Sequence, residues 1–165
     1  MYCFKLKQYT MSNLAQKPTF KAKYDNFIGG KFVAPVNGVY FDNCSPIDGQ
    51  VFTQAARSTK EDIELALDAA HAAFPTWSKT AVATRSNLLL KIADIMEANL
   101  ELLATVETID NGKAIRETRA ADLPLCIDHF RYFAGVIRSE EGAISEHDET
   151  TVKLHPHWPR ATVLL

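Results

Sequence analysis

The chain has 165 residues, a formal net charge of −2, 47% hydrophobic and 23% charged residues, the make-up of a soluble globular domain with enough chain to bury a core. No Lys/Arg block is sustained, which excludes nucleic acid as a partner, because binding it needs clustered positive charge that displaces counterions. No segment approaches the ~18 apolar residues of a membrane span, and the opening MYCFKLKQYT lacks the apolar stretch of a signal peptide.

Residues 1–24 are without periodic pattern and read as a disordered or extended arm; the first 31 residues are locally basic, with Lys5, Lys7, Lys17, Lys21, Lys23 and Lys31 against Asp25 alone, a solvated surface. Met11 has the look of a natural start, which would make residues 1–10 an upstream extension. Residues 25–154 form the folded region. NFIGGKFV (26–33) sets two apolar strand-like pieces around Gly29-Gly30, a pair suited to the positive φ of a tight hairpin turn. VYFDN (39–43) and VFTQAA (51–56) read as further strands, joined by the turn SPIDG (45–49), where Pro46 presets φ and Gly49 closes the corner.

The hydrophobic period then changes from two to about 3.6. Ser58 and Glu61 make a capping-box pattern, and Ile63, Leu67, Ala70 and Phe74 line one face of a first helix that Pro75 is expected to end. A second helix, 81–98, presents Leu88, Leu89, Ile92, Ile95 and Met96. A third, 99–109, presents Leu102, Val106 and Ile109. A fourth runs over 115–138 with Leu123, Ile127, Phe130, Phe133 and Ile137 on one side, and TVKLH (151–155) alternates like an edge strand. The fold class is therefore α/β: a small β-hairpin front followed by about four helices. Residues 155–165 form a tail of different character.

ETIDNGKAIRE, Glu107 to Glu117, packs the most charge into the least chain. Asn111-Gly112 after a helical run is a stop signal, since both residues tolerate the left-handed conformation that closes a helix. Lys113 follows where a cation meets the last carbonyls. Glu107 and Asp110, three apart on the helix surface, are the alternative: a carboxylate pair for acid–base work, which would need a pocket and a charged partner. His155 and His157 offer a metal two imidazoles, but zinc sites take three or four ligands, so no metal site is read here. His129, beside Phe130 and Arg131, is a packing or surface residue. No glycine-rich phosphate loop follows a strand, and no G-x-S-x-G is present. Three cysteines, Cys3, Cys44 and Cys126, form neither a CxxC pair nor a disulfide framework, which fits free thiols in the cytoplasm. Cys126 is expected on an apolar helix face where burial raises a thiol's pKa.

YDNFIGGKFV, SPIDGQVF, DIELALDAAHAAFPTWSKT, KIADIMEANLELLATVETIDNGKAIRET and DHFRYFAG together resemble the amino-terminal portion of the NAD(P)-dependent aldehyde dehydrogenase family, closest to bacterial enzymes acting on acetaldehyde and other aliphatic aldehydes. The resemblance runs from about Lys21 to about Leu154, with ETxDNGK followed by FRYFAG as its most specific part. It implies the fold's amino-terminal part without its Rossmann core. It also implies a family reaction in which a cysteine thiolate attacks an aldehyde, hydride passes to NAD or NADP, and a glutamate-activated water releases the acid.

The motifs for that reaction, a PWNFP-like stretch, an ELGGK glutamate and a GQxC cysteine, are absent from this sequence. No catalytic or cofactor-binding residue is therefore assigned, and no cofactor is expected to bind this chain alone. Ala114 stands where relatives usually have proline. The tail PHWPRATVLL keeps neither the glycines nor the apolar run of relatives, as a frameshift or a truncated or misjoined reading frame would produce. The resemblance places Ala121 and Leu125 on the wall of the aldehyde entrance tunnel, and Asp110 at a carboxylate that in some relatives helps hold a monovalent cation. The leading expectation is a catalytically incomplete piece of an aldehyde dehydrogenase, self-associating through exposed apolar helix faces. The alternatives are a small non-enzymatic helical module that binds a partner such as a full-length relative, and an independent enzyme using Glu107, Asp110 or His155.

Overall fold

The computed structural model describes residues 18–139, 141, 143–148 and 150–155. Its β front begins with β1 (Lys23–Tyr24), which lies within the expected arm, and the hairpin β2 (Asn26–Ile28) and β3 (Lys31–Val33). Gly29 and Gly30 have φ of 60° and 79°, so the two-residue turn that the Gly-Gly pair implied is present. Phe27 pairs with Phe32 in register, their rings edge to face with centroids 5.1 Å apart. β4 (Tyr40–Cys44) and β5 (Val51–Ala56) pair antiparallel with an irregularity at Asn43/Cys44, and β1 joins the far side of β5 in parallel. Between β4 and β5, the Ser45 N–H donates to Gln50 O at 2.9 Å and the Gly49 N–H to Ser45 O at 2.8 Å.

α1 spans Lys60–Trp77, and its start differs by one residue from the expected one. Thr59, not Ser58, is the N-cap, and Asp62, not Glu61, is its capping-box partner. Both pairs have the right spacing; the choice is tertiary. Asp62 is 2% exposed and accepts from the Thr59 N–H at 2.9 Å and from the Val36 N–H at 2.9 Å, so one carboxylate caps the helix and ties down the loop before β4. Ser58 instead donates to Asn26 Oδ1 at 2.9 Å. Pro75 does not end α1. The helix runs to Trp77 with the Ser78 N–H still reaching Phe74 O at 2.8 Å, because a proline in the last turn removes only one ladder bond.

α2 (Val82–Ala98) and α3 (Leu100–Asn111) follow, then a single helical turn α4 (Ile115–Glu117), a π-helical turn over Thr118–Asp122, and α5 (Leu123–Ser139). The fourth helix expected over 115–138 is thus interrupted. α2 and α5 run antiparallel and meet through small residues: Ser86, Ala93 and Ala134 are all buried. The Ser86 hydroxyl donates to Ala134 O at 2.7 Å and accepts from Arg138 Nε at 2.7 Å. Arg131 on α5 reaches Glu97 Oε2 at 2.6 Å and Asp94 Oδ1 at 3.2 Å on α2. The core around this pair is narrow: Ala66, Ala93, Ala104, Ile109, Leu123, Ile127 and Ala134.

The expected apolar faces therefore divide. Leu123 and Ile127 are buried, whereas Leu88, Ile92, Ile95, Leu102 and Phe133 are exposed. TVKLH is a strand, β7 (Thr151–His155), and it pairs antiparallel with β6 (Ala143–Asp148), which the sequence pattern did not suggest. Residues 1–17, with Cys3 and Met11, and residues 156–165, with His157, lie outside the described residues.

The Thr59 N–H first, and the Val36 N–H second, hold the Asp62 carboxyl below the ordinary carboxylate pKa. A depressed folded-state pKa contributes stability that is fully present above the unfolded value of ~3.9 and is lost as pH falls through the folded one. Asp62→Asn should therefore narrow the gap between urea midpoints of the helical signal at neutral and acidic pH. An unchanged gap would refute this role for Asp62.

Candidate functional site

The corner between α3 and α4 is built from both sides. On the helix side, Gly112 has φ 76° and closes α3 as a left-handed cap, its N–H reaching Thr108 O at 2.9 Å. The Asn111 side chain turns back to accept the Lys113 N–H at 2.8 Å. On the strand side, the Ser45 hydroxyl donates to Ile109 O at 2.6 Å and Asn43 Nδ2 donates to Asp110 Oδ1 at 2.7 Å. Ser45 thus satisfies a terminal carbonyl of α3, the task the sequence suggested for Lys113. Lys113 pairs instead with Asp122 in the π turn, and that bond is the main cause holding the lysine's pKa above its ordinary value.

Between the β1–β5–β4 sheet and the helices lies an open groove of about 790 Å³, lined among others by Asn43, Phe52, Val106, Glu107, Asp110 and Cys126. Glu107 and Asp110 do share it, but as parts of the corner: Asp110 is held by Asn43, and Glu107 accepts from Asn111 Nδ2 at 3.4 Å. No group of three or more His, Cys, Asp or Glu able to hold a metal occurs among the described residues. Ala121, inside the π turn, and Leu125, on the first turn of α5, are both exposed. Neither lines the groove. Cys44 and Cys126 are free and exposed. For Cys126 this corrects the expectation of burial: the face of α5 that packs inward carries Leu123, Ile127 and Ala134, and Cys126 stands at its margin. His129 is exposed on the same helix.

The connection from β5 to α1 does not fit a dinucleotide. β5 leads into α1 through Arg57-Ser58-Thr59 without glycine, and at that helix start the Thr59 N–H is taken by the Asp62 carboxylate and the Asp62 N–H by the Thr59 side chain. A phosphate needs those donors free.

The aldehyde dehydrogenase family profile matches residues 32–164. The chain belongs to the aldehyde dehydrogenase family. It is 68% identical over 145 residues to an aldehyde dehydrogenase of Deinococcus radiodurans, covering 88% of this chain and 28% of that one. It is 67% identical over 144 residues to a long-chain-aldehyde dehydrogenase of Acinetobacter sp., covering 87% and 29%. It is 59% identical over 145 residues to an acetaldehyde dehydrogenase of Pseudomonas aeruginosa, covering 88% and 29%. Among solved structures, PnpE in complex with nicotinamide adenine dinucleotide superposes with a TM-score of 0.77 at 38% identity over 79% of this chain and 27% of that one. An NAD-dependent aldehyde dehydrogenase from Sinorhizobium meliloti gives 0.76 at 31% over 82% and 28%. The chain spans somewhat over a quarter of the length of these relatives, and the fold of its described residues is that of the family's amino-terminal part.

In this family setting, the corner motif ETIDNGK is a structural joint whose glycine is fixed twice over. A Cβ on Gly112 would meet Pro46 Cγ at 2.8 Å, and φ is 76°. Gly112→Ala should cost at least about 1–2 kcal/mol from the left-handed conformation alone, read as a lower urea midpoint of the helical signal. An unchanged midpoint would show that the joint tolerates a side chain.

Proposed function

We propose that this chain serves as the amino-terminal portion of an NAD(P)-dependent aldehyde dehydrogenase that oxidises aliphatic aldehydes to carboxylic acids. The observation that carries the reading is the 68% identity over 145 residues to a relative of which those residues are only 28%. Relatives named for acetaldehyde and for long-chain aldehydes support an aliphatic substrate. The exposed side of the helix at Ala121 and Leu125 is the wall of the aldehyde entrance in this reading. In this reading, cofactor and reaction belong to the remaining length of the family chain. We place the protein in the cytoplasm, a reading supported by its free, exposed Cys44 and Cys126; no described helix is long and apolar enough to cross a membrane.

A chimera tests this directly. The matching 145 residues of the Deinococcus radiodurans enzyme are replaced by those of this chain, and the purified chimera should oxidise acetaldehyde with NAD or NADP. A folded chimera with no turnover would sink the reading. The chain by itself should show no cofactor-dependent oxidation above a mock preparation, since nucleophile, base and cofactor fold each supply large rate factors.

The second reading, a partner-binding module, draws on the exposed Leu88, Ile92, Ile95 and Phe133, but these faces serve the first reading equally well. Uncovered apolar area of ~500 Å² corresponds to about 12 kcal/mol of forgone burial at ~25 cal/mol per Å², comparable with a domain's net stability. The isolated chain should therefore self-associate in size-exclusion chromatography and bind hydrophobic dyes. A monomer without dye binding and with a sharp, reversible thermal transition would favour the self-sufficient module.

A further inference from the structure

We propose that Thr118 and Pro124 are positioning residues that together hold the π turn Thr118–Asp122, and that this turn sets the helical phase of α5. It thereby decides which side chains stand beside Ala121 and Leu125. The proposal rests on the reading of those two residues as the aldehyde entrance and deepens it.

Pro124 supplies the cause. It is the second residue of α5, lacks an N–H, and in an uninterrupted α-helix its ring would strike the carbonyl of Ala120 four residues back. Widening the turn by one residue moves that carbonyl away, and the Leu123 N–H closes the wider ring onto Thr118 O. Thr118 supplies the hold. Its side chain is fully buried at 0% exposure, with Oγ1 at 3.1 Å from Thr108 Oγ1, 3.1 Å from Ala104 O and 3.2 Å from Ile115 O. A hydroxyl has one proton to donate and lone pairs to accept. The full assignment is that Thr108 donates to Thr118 and Thr118 donates to a backbone carbonyl, which binds the start of the turn to α3. Arg119 adds an ion pair to Glu101 at 2.7 Å, and Asp122 the pair to Lys113.

One absorbed residue corresponds to a rotation of about 100° for everything downstream. With the turn rewound into α-helix, each α5 side chain takes the angular position of the residue after it. Cys126 moves into the buried place of Ile127, Ile127 into the exposed place of Asp128, and Leu125 into the place of Cys126 at the margin of the inward face. The Cys126 thiol, now exposed, is the reporter.

The experiment uses the full chain with Cys3→Ser and Cys44→Ser, so that Cys126 alone reacts with a maleimide. Thr118→Val/Pro124→Ala removes hold and cause together and should slow alkylation about tenfold by burying the thiol, whereas either single change should leave it within about threefold. Thr118→Ser/Pro124→Ala keeps the hydroxyl and should restore the parental rate. Parental reactivity in the Val/Ala variant at unchanged circular-dichroism helicity would overturn the proposal. So would a slow thiol in the Ser/Ala variant. If the Val/Ala variant loses helicity, the comparison is made with Thr108→Val added, which leaves no buried hydroxyl without its partner. The entrance reading fails separately: in the active chimera, Leu125→Ala would leave KM unchanged across aldehydes of increasing length.

Discussion

The close antiparallel contact between α2 and α5 is the constraint on which the rest of the structure depends. Ser86, Ala93 and Ala134 leave no bulk between the helices, so the distance is set by backbone and small side chains. Two polar ties fix the relative slide of the helices: Ser86 between Ala134 O and Arg138, and Arg131 between Asp94 and Glu97. Arg131 first lowers the Glu97 pKa through their hydrogen bond and then through charge, so this tie is strongest where the carboxylate is ionised. At the start of α5 the π turn meets α3, where Thr118 Oγ1 lies 3.1 Å from Thr108 Oγ1.

That contact uses only one side of each helix. Leu88, Ile92 and Ile95 lie opposite Ser86 and Ala93 on α2, and they are exposed, Ile95 to 54%. A helix apolar on both sides is one built to lie between two layers. The same holds for α5, where Leu125 and Phe133, each 55% exposed, stand outside the inward stripe. Among the described residues the buried apolar side chains are Ala66, Ala93, Ala104, Ala134, Ile109, Leu123 and Ile127, so few of the large ones are fully covered. The match to relatives of which this chain is somewhat over a quarter supplies the natural reason for such faces.

Much of the fold was legible because its signals are local. Gly29-Gly30 specified the hairpin turn, VFTQAA coincides with β5, and Asn111-Gly112 marks the end of α3. What the sequence hid was decided by long-range contacts. Ser58/Glu61 and Thr59/Asp62 fit the capping pattern equally well, and only the Val36 N–H, brought in by the β front, favours Asp62. β6 is polar and finds its partner through β7. Pro124 was visible, but the apolar period on either side of it reads as one helix, since periodicity does not register a single absorbed residue. Cys126 was placed on the buried face for the same reason.

The site was legible as a joint and not as chemistry, and the structure shows why these differ. Charged and terminal groups of the DNGK corner have internal partners: Asp110 has Asn43, Ile109 O has Ser45, Lys113 has Asp122. Catalytic groups are held ready for a substrate, so a corner whose donors and acceptors are already matched is committed to holding position. What it positions is the start of the π turn, directly after α4, and through it the phase of α5. The charge that made ETIDNGKAIRE look reactive is therefore spent on fixing the angle at which an apolar helix leaves the corner.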